Sequence, residues 1–432
     1  MTRGAPERPL VPLEEARAAV LGLVAPLPVS TVRVADALGA VLARDVAAVD
    51  SVPPFTCSAM DGYALVATGA PAPLDLAVVG RILAGDEPGA PIRPGEAVRI
   101  MTGAPLPPGA NAVCMLEESE PAENGERVLL LQSPAPGAHV RGAGDDVRAG
   151  ALVLRAGTRL APRHCAVAAS VGVAELTVRR PPVVGVLSTG SELTEAPAPL
   201  RPGQIRDANR HLLLGLCAAA GAETVDLGVL PDDEDALVDA LADAGGRVDL
   251  VVTSGGVSVG DRDLVKAVIE RCCRGGGIEM AVAIKPAKPL AFGVLHGGAL
   301  LAGLPGNPVS AAVAFELFVR PALARLGGLE VGAPSSLGAR APEGLGRHPD
   351  GKLHLLHVAL RLAEDGVLEA RRAGGHASHL LASTLAAQGL ALVPDGEGVA
   401  PGATVEVLPL TGVTLADLSV GAAAPEQLER MG

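Results

Sequence analysis

Residues 249–263 read DLVVTSGGVSVGDRD, a short apolar run followed by a loop of glycine, serine and acidic residues. An apolar strand that leads through such a loop into a helix is typical of a mostly parallel sheet with helices on both faces. The rhythm of strand, loop and helix recurs from residue 181 to residue 327. Ligands of such sheets bind at the carboxyl ends of the strands, where helix N-termini present unpaired N–H groups. The stretch therefore predicts an α/β sandwich domain with a binding site along one edge of its sheet.

The segments on either side of this domain have different hydrophobic patterns. Residues 13–24 and 32–46 have the apolar spacing of helices, which predicts two helices near the start of the chain. Short β-type runs separated by proline and glycine fill residues 51–140 and again residues 328–412. The Ala- and Val-rich part of residues 141–180 is expected to return to the first helices, which makes the β-rich module an insertion.

The chain is thus predicted to be a multidomain α/β protein. Its expected parts are an N-terminal helical linker domain (1–50 and 141–180), an inserted β-rich domain (51–140), the α/β domain (181–327), a small C-terminal β-barrel (328–412) and a flexible tail (413–432).

Composition limits the classes of function. The chain has 432 residues, 49% of them hydrophobic, and a formal net charge of −13, without a basic run or an aromatic ladder. This balance argues against a nucleic-acid or membrane surface. The six cysteines form no C-x-x-C pair, so reduced thiols are expected rather than a metal cluster or a disulfide framework. Without a signal peptide or a long apolar run, a cytoplasmic protein is expected.

Three loops are expected at the predicted binding edge of the sheet. The first is Ser188–Glu192, the second is 253–263, and the third is Leu304–Ser310, in which Asn307 is well placed as an N-cap. The second loop matches neither G-x-x-x-x-G-K-[ST] nor G-x-G-x-x-G, which disfavours a P-loop NTPase or a nucleotide-dependent reductase. The remaining interpretation of the second loop is an anion-binding cradle made of backbone amides and hydroxyl groups.

Charged residues suggest what the cradle holds. Lys285 and Lys288 each precede a proline in the stretch KPAKP, and two cations beside amide cradles suit a phosphate or another oxyanion. Five acids are either solvated surface charges or, grouped on one cleft, hard oxygen ligands for a divalent cation such as Mg²⁺. They are Asp61, Asp146, Glu192, Asp232 and Asp263.

Eight motifs together resemble the molybdopterin molybdenumtransferase family, which includes the enzymatic domain of gephyrin. They are PPFTCSAMDGYA, RIMTGAPLPPGANAV, GDD, STGSEL, GQIRDAN, TSGGVSVGDRD, KPAKP and GLPGNPVSA, spread over about residues 10–412. The resemblance implies the last step of molybdenum cofactor biosynthesis. In that step, molybdate is inserted into adenylylated molybdopterin with release of AMP, in the presence of Mg²⁺.

The resemblance also implies an assembly. Family members are homodimers of four-domain subunits, whose active cleft lies between the α/β domain of one subunit and the β module of the other. A molybdopterin adenylyltransferase and molybdoenzymes are the implied transient partners.

Roles are carried over from the family position by position. The implied catalytic positions are Asp61, Thr102, Asp146, Glu192 and Asp263, and the implied Mg²⁺ ligands are Asp232 and Asp263. The implied substrate-binding positions are Ser254, Gly255, Gly256, Ser258, Lys285, Lys288, Pro305, Asn307 and Ser310. Phe55 and Tyr63 are then expected to brace the loop that presents Asp61, and Cys57 is not a nucleophile on this interpretation.

The chain departs from the family pattern at three places. It has Ala287 where many relatives have glycine, and Ser191 where many have aspartate. The C-terminal pattern R-x-E-F-x-R is replaced by KLHLLH at residues 352–357. Whether Lys352, His354 or His357 takes the place of the family arginines in oxyanion binding is left open.

Two other functions compete with the insertase. The α/β domain alone resembles the molybdopterin adenylyltransferases, which perform the preceding step but lack the β module and the C-terminal β domain. A scaffold that binds molybdopterin without turnover is the second alternative, and the acids and lysines retained at the matched positions argue against it. The preference for molybdate or tungstate, the recipient enzymes and the domain motions are also open.

Overall fold

A computed structural model describes residues 9–255, 264–373, 381–414, 417 and 419–420. The polypeptide divides into two compact units, residues 30–178 and residues 1–29 together with 179–432. Within the described ranges, no helix combines the length and the apolar character needed to cross a membrane. All six cysteines are free thiols.

The 30–178 unit is built on a six-stranded sheet. In spatial order, its strands are Ser119–Ala122, Arg127–Leu130, Leu74–Ile82, Glu96–Ile100, Gly62–Leu65 and Ala112–Met115. Alternate residues of the strand Gly62–Leu65 enter different clusters, Tyr63 and Leu65 on one side and Ala64 on the other. The sheet is therefore covered on both faces, as the period of two along a strand requires.

Residues that flank this sheet in the chain pair with one another. Val29–Arg33 and Val41–Leu42 pair with Glu175–Arg179, and Val46–Ala47 pairs with Leu152–Leu154. The helix Pro162–Ser170 packs beside them, with Ala168 in a shared core. Other short elements of this unit are Val34–Asp36, Cys57–Ser58, Leu116–Glu118, Glu123–Gly125 and Val140–Arg141.

The helix expected over residues 32–46 was wrong. The segment forms the short strands given above and a single 3-10 turn, and Gly39 turns the chain at a φ of 80°. Its β-branched residues Val32 and Val41 favour a strand once a partner strand is present, and that partner, Glu175–Arg179, lies about 140 residues away in sequence.

The second unit contains a mixed seven-stranded sheet. In spatial order, its strands are Leu10–Val11, Ile278–Val282, Pro289–Val294, Leu300–Leu304, Leu250–Ser254, Val183–Thr189 and Glu223–Leu230. The four strands from Leu300–Leu304 to Glu223–Leu230 run parallel to one another. The strand Pro289–Val294 is antiparallel to the strands on both of its sides.

Helices cover both faces of this sheet, as the sequence predicts. They are Leu13–Gly22, Asn209–Ala219, Glu234–Ala244, Leu264–Cys272, Pro308–Ala314, the π-helical turn Phe315–Val319 and Arg320–Leu326. Val252 belongs to one buried cluster and Val251 to the other, so successive residues of one strand serve the two opposite cores. This double burial explains why the strands are apolar throughout.

A closed five-stranded barrel follows, which confirms the β-barrel expected at the C-terminal end. Its strands are Leu337–Arg340, Leu353–Leu362, Leu368–Arg372, Gly389–Val393 and Thr404–Pro409. The pairing of Leu353–Leu362 with Gly389–Val393 closes the ring. Other short elements of the unit are Leu193–Thr194, Ile205–Arg206, Arg274–Gly276, Ile284–Lys285, Leu345–Gly346, Leu381–Thr384, Gly398–Val399 and Ser419–Val420.

The finer division into linker and inserted domains stays a prediction. The expected tail 413–432 falls largely outside the described residues.

Candidate active site

In the 30–178 unit, Asp61 is held by Thr102. The aspartate directly precedes the strand Gly62–Leu65, and the threonine follows the adjacent antiparallel strand Glu96–Ile100. The backbone N–H and the hydroxyl of Thr102 donate to Asp61 Oδ1 over 2.7 and 2.8 Å. The backbone hydrogen bond and then the hydroxyl hydrogen bond lower the pKa of Asp61. The pair predicted from sequence is therefore brought together, with Asp61 kept as a carboxylate.

The neighbours of Asp61 explain its motif. A Cβ atom on Gly62 would lie 1.9 Å from the carbonyl oxygen of Cys114, so this position accepts only glycine without a shift of the adjacent strand. Tyr63 is 2% exposed and anchors the strand in the core, whereas Phe55 is 45% exposed. The expectation that both rings brace the loop stays a prediction for Phe55. Burial raises the pKa of the Cys57 thiol, which makes it a poor nucleophile.

Asp146 lies in the same unit, on an exposed loop. Its backbone N–H donates to Val52 O over 3.0 Å, while its side chain is exposed. The neighbouring Asp145 accepts a hydrogen bond of 2.6 Å from the N–H of Gly142. Of the two successive acids, Asp145 shapes the turn and Asp146 is presented to solvent.

In the second unit, the carboxyl ends of adjacent parallel strands meet at Thr189 and Ser254. The side-chain amide of Asn209 donates to Ser254 Oγ over 2.6 Å and to Gly306 O over 2.7 Å. Gly255 has a φ of 95°, and a Cβ atom there would lie 2.3 Å from Thr189 O. Glycine is therefore required where the three loops come closest.

Asn209 is a residue that the sequence interpretation did not assign. It appears in the motif GQIRDAN, and only the structure shows that it bridges two other loops. The buried atoms Thr189 Oγ1 and Asn209 Oδ1 have no hydrogen-bond partner among the described residues. Both lie at this edge of the sheet, where a bound polar ligand would satisfy them.

Two of the predicted acids lie at the ends of neighbouring strands in this unit. Ser191 N donates to Asp232 Oδ2 over 3.1 Å, and Asp232 N donates to Ser191 Oγ over 3.2 Å, so the two loops are tied reciprocally. The carboxylate of Glu192 lies against Gly190, because a Cβ atom on Gly190 would be 2.7 Å from Glu192 Oε2. Glu192 and Asp232 are both exposed.

Three predicted residues, Gly256, Ser258 and Asp263, fall outside the described residues. Within the described ranges, no group of three or more His, Cys, Asp or Glu side chains is arranged to hold a metal ion. Of the two predicted Mg²⁺ ligands, only Asp232 lies within the described residues. One or two carboxylates with substrate phosphates are the usual Mg²⁺ environment, so the donor type fits this ion.

A cavity of about 850 Å³ in the second unit brings the predicted cations together. Lys285, Lys288 and Ser310 all line it. Ser310 is 8% exposed and lies in the first turn of the helix Pro308–Ala314. The Asn307 side chain accepts a 3.2 Å hydrogen bond from Val309 N, which confirms the predicted N-cap. Pro305, just before this turn, is buried.

The barrel supplies the opposite wall of this cavity. Lys285 pairs in parallel register with His354, which places the strand Leu353–Leu362 beside the KPAKP stretch. Charged or titratable side chains of this wall are Arg347, His348, Asp350, Lys352, His354, His357, Arg372 and Glu397. All three residues that replace the family pattern, Lys352, His354 and His357, therefore line the cavity with the lysines. Burial lowers the pKa of His354 and of His357.

Comparisons with known proteins agree with this architecture. Residues 11–172 match the family described as MoeA N-terminal region (domain I and II), residues 185–325 the probable molybdopterin binding domain, and residues 340–410 the MoeA C-terminal region (domain IV). A molybdopterin molybdenumtransferase of Haemophilus influenzae is 38% identical over 405 residues, covering 93% of this chain and 98% of that protein. One from Nostoc is 36% identical, covering 86% of each chain.

A solved structure is also similar. The molybdopterin biosynthesis MoeA protein of Pyrococcus horikoshii superimposes with a TM-score of 0.79 at 32% identity, covering 94% of this chain and 100% of that one. The fold and the matched regions define a multidomain protein built around an α/β domain of the molybdopterin-binding type. The chain belongs to the molybdopterin molybdenumtransferase family and is a transferase of molybdenum cofactor biosynthesis. The family predicted from the motifs is confirmed.

Proposed function

We propose that the chain inserts molybdate into adenylylated molybdopterin and releases AMP. The observation that carries this proposal is that Lys285, Lys288 and Ser310 line the same cavity, next to histidines and a lysine of the barrel. Two ammonium groups and a hydroxyl suit a doubly charged tetrahedral oxyanion, because they offer both charge and hydrogen bonds. In this proposal they bind molybdate and the terminal phosphate of molybdopterin.

A second phosphate-binding region is assigned to the sheet edge. Ser254 and Gly255, followed by Gly256 and Ser258, form the proposed cradle, in which backbone amides and hydroxyls donate to phosphate oxygens. Pro305 and Asn307 border it from the next loop. The bridge from Asn209 supports this assignment, since it joins the loops after two adjacent strands.

Acids complete the proposed active site. Asp232 and Asp263 are the proposed Mg²⁺ ligands, and Mg²⁺ when bound neutralises charge on the pyrophosphate-like linkage to AMP. The side chains of Asp61, Thr102, Asp146 and Glu192 are proposed to orient the substrate and the attacking groups by hydrogen bonds. The low pKa of Asp61 supports a role as a carboxylate acceptor rather than as a proton donor. No protein nucleophile takes part.

The reaction is tested by AMP release from adenylylated molybdopterin with Mg²⁺, with and without molybdate. The wild type is compared with Asp61→Ala and with Asp75→Ala, which removes an exposed carboxylate of the same unit that pairs with Arg127. Molybdate-dependent release that is lost only in Asp61→Ala supports the insertase. Adenylylation of free molybdopterin by the wild type with ATP would instead identify an adenylyltransferase. Binding of molybdopterin with neither reaction would identify a scaffold.

A cytoplasmic homodimer with composite active sites belongs to the same proposal, with a molybdopterin adenylyltransferase and molybdoenzymes as transient partners. Mixing inactive Asp61→Ala and Lys285→Ala subunits tests it. If the two side chains act from different subunits of a symmetric dimer, random mixing restores about a quarter of the wild-type activity. Restoration is absent if each subunit uses its own Asp61 and Lys285, and that result would refute the composite site.

A further inference from the structure

Asp350 lies among the cations of the cavity. Its carboxylate accepts a 2.6 Å hydrogen bond from the Arg347 guanidinium and lies 3.1 Å from His354 Nε2. The ammonium groups of Lys352 and Lys285 are 3.6 and 3.9 Å from its Oδ2 atom. Four basic side chains from two stretches of the chain, residue 285 and residues 347–354, thus converge on one carboxylate. One of them is Lys285, which we assign to oxyanion binding.

The backbone around Asp350 is anchored independently of its carboxylate. The N–H groups of Asp350 and Gly351 each donate to Asp395 over 3.1 Å. The Arg347 side chain is 2% exposed and also donates to Asp395 and to the carbonyl of Lys352. The Asp350 side chain is 27% exposed, so its carboxylate can rotate into the open cavity while the turn keeps its shape.

The carboxylate is ionised throughout the working pH range. Partial burial favours the neutral form, but the hydrogen bond from His354 and the charges of His354, Lys352 and Arg347 outweigh it and bring the pKa of Asp350 to about 2. The remaining charged or titratable residues that line the cavity are Lys288, His348, His357, Arg372 and Glu397.

We propose that Asp350 is a built-in competitor for the oxyanion, occupying the cations of the cavity until a doubly charged ligand displaces its carboxylate. This inference rests on the oxyanion site proposed above. A singly charged anion at best replaces one unit of negative charge by another. A tetrahedral dianion brings two charges and four acceptor oxygens to the same cations, and so offsets the contacts that Asp350 gives up. Asp350 thereby sets how tightly an anion must bind in order to enter the site, and it favours dianions over singly charged anions.

The test is the affinity of the purified full-length protein for molybdate, measured by isothermal titration calorimetry at constant ionic strength. Asp350→Asn removes the charge and keeps the shape, and Asp350→Ser removes the charge with a smaller side chain. We expect both variants to bind molybdate about three- to ten-fold more tightly, the range for removing a few partly solvated charge contacts. A tightening of this kind does not follow from a purely structural role, which would weaken the site.

The control is Asp365→Asn, which removes the same charge from the same barrel. Asp365 pairs with Arg340 and is not among the residues that line the cavity. Its affinity for molybdate should equal that of the wild type, and the melting temperatures of all variants verify folding. Unchanged or weaker binding in both Asp350 variants, with normal wild-type binding, would overturn the competitor role alone. If wild-type binding is absent, or survives in Lys285→Ala, the proposed oxyanion site fails and this inference fails with it.

Discussion

Asn209 is predicted to couple the two loops at the carboxyl edge of the α/β sheet. Its side-chain amide donates to Ser254 Oγ and to Gly306 O over 2.6 and 2.7 Å, and the residue is 8% exposed. The change Asn209→Ala removes both hydrogen bonds at once. It leaves the hydroxyl of the buried residue Ser254 without this donor.

The expected loss follows from these contacts. Each neutral hydrogen bond contributes about 0.5–1.5 kcal/mol net, and a buried group left unpaired adds to the loss. Alanine recovers about 0.5 kcal/mol through its higher helix propensity. Asn209→Ala should therefore lower the free energy of unfolding of the second unit by about 1–3 kcal/mol.

Urea unfolding followed by far-UV circular dichroism measures this change, because the chain has no Trp and only one Tyr for fluorescence. Hydrogen exchange with peptide resolution locates it, with faster exchange expected in Leu250–Ser254 and around Gly306. The matched control is His211→Ala, an exposed position of the same helix. Stability within about 0.5 kcal/mol of the wild type, with unchanged exchange in both loops, would refute the coupling.

Two further predictions concern pH and packing. Burial lowers the pKa of His357 below its usual 6.5, so the unfolded chain binds the proton more readily and stability falls as pH falls below about 6.5. His357→Gln should flatten the dependence of the melting temperature on pH between about 6.5 and 5, and an unchanged slope would contradict this. Gly62→Ala places a Cβ atom 1.9 Å from Cys114 O and should cost about 3 kcal/mol or more in urea unfolding of the 30–178 unit. Gly80→Ala, in the same sheet with open space at its Cβ position, should be nearly neutral, and equal effects of the two changes would refute the steric reason.

Local sequence determined the elements whose signals are short-range. The apolar strands and the N-cap at Asn307 follow from residues within one strand or turn, and the structure places both as predicted. Ordered motifs were sufficient to predict the family. Two such motifs supplied Asp61 and Thr102 as separate candidate residues, and only the structure shows that hydrogen bonds join them.

Tertiary structure decided what depends on distant partners. Residues 32–46 have a helical apolar spacing, yet they form strands because Glu175–Arg179 offers unpaired backbone groups to Val29–Arg33. Asn209 reads as a helix start, and only the folded sheet brings Ser254 and Gly306 to its amide. Asp350 similarly lines the cavity beside Lys285 only because the barrel strand pairs with Ile284–Lys285. Hydrophobic periodicity and capping residues report interactions within a few residues along the chain. Long-range packing, which a linear pattern does not encode, sets the strand partners, the buried hydrogen-bond bridges and the charge clusters.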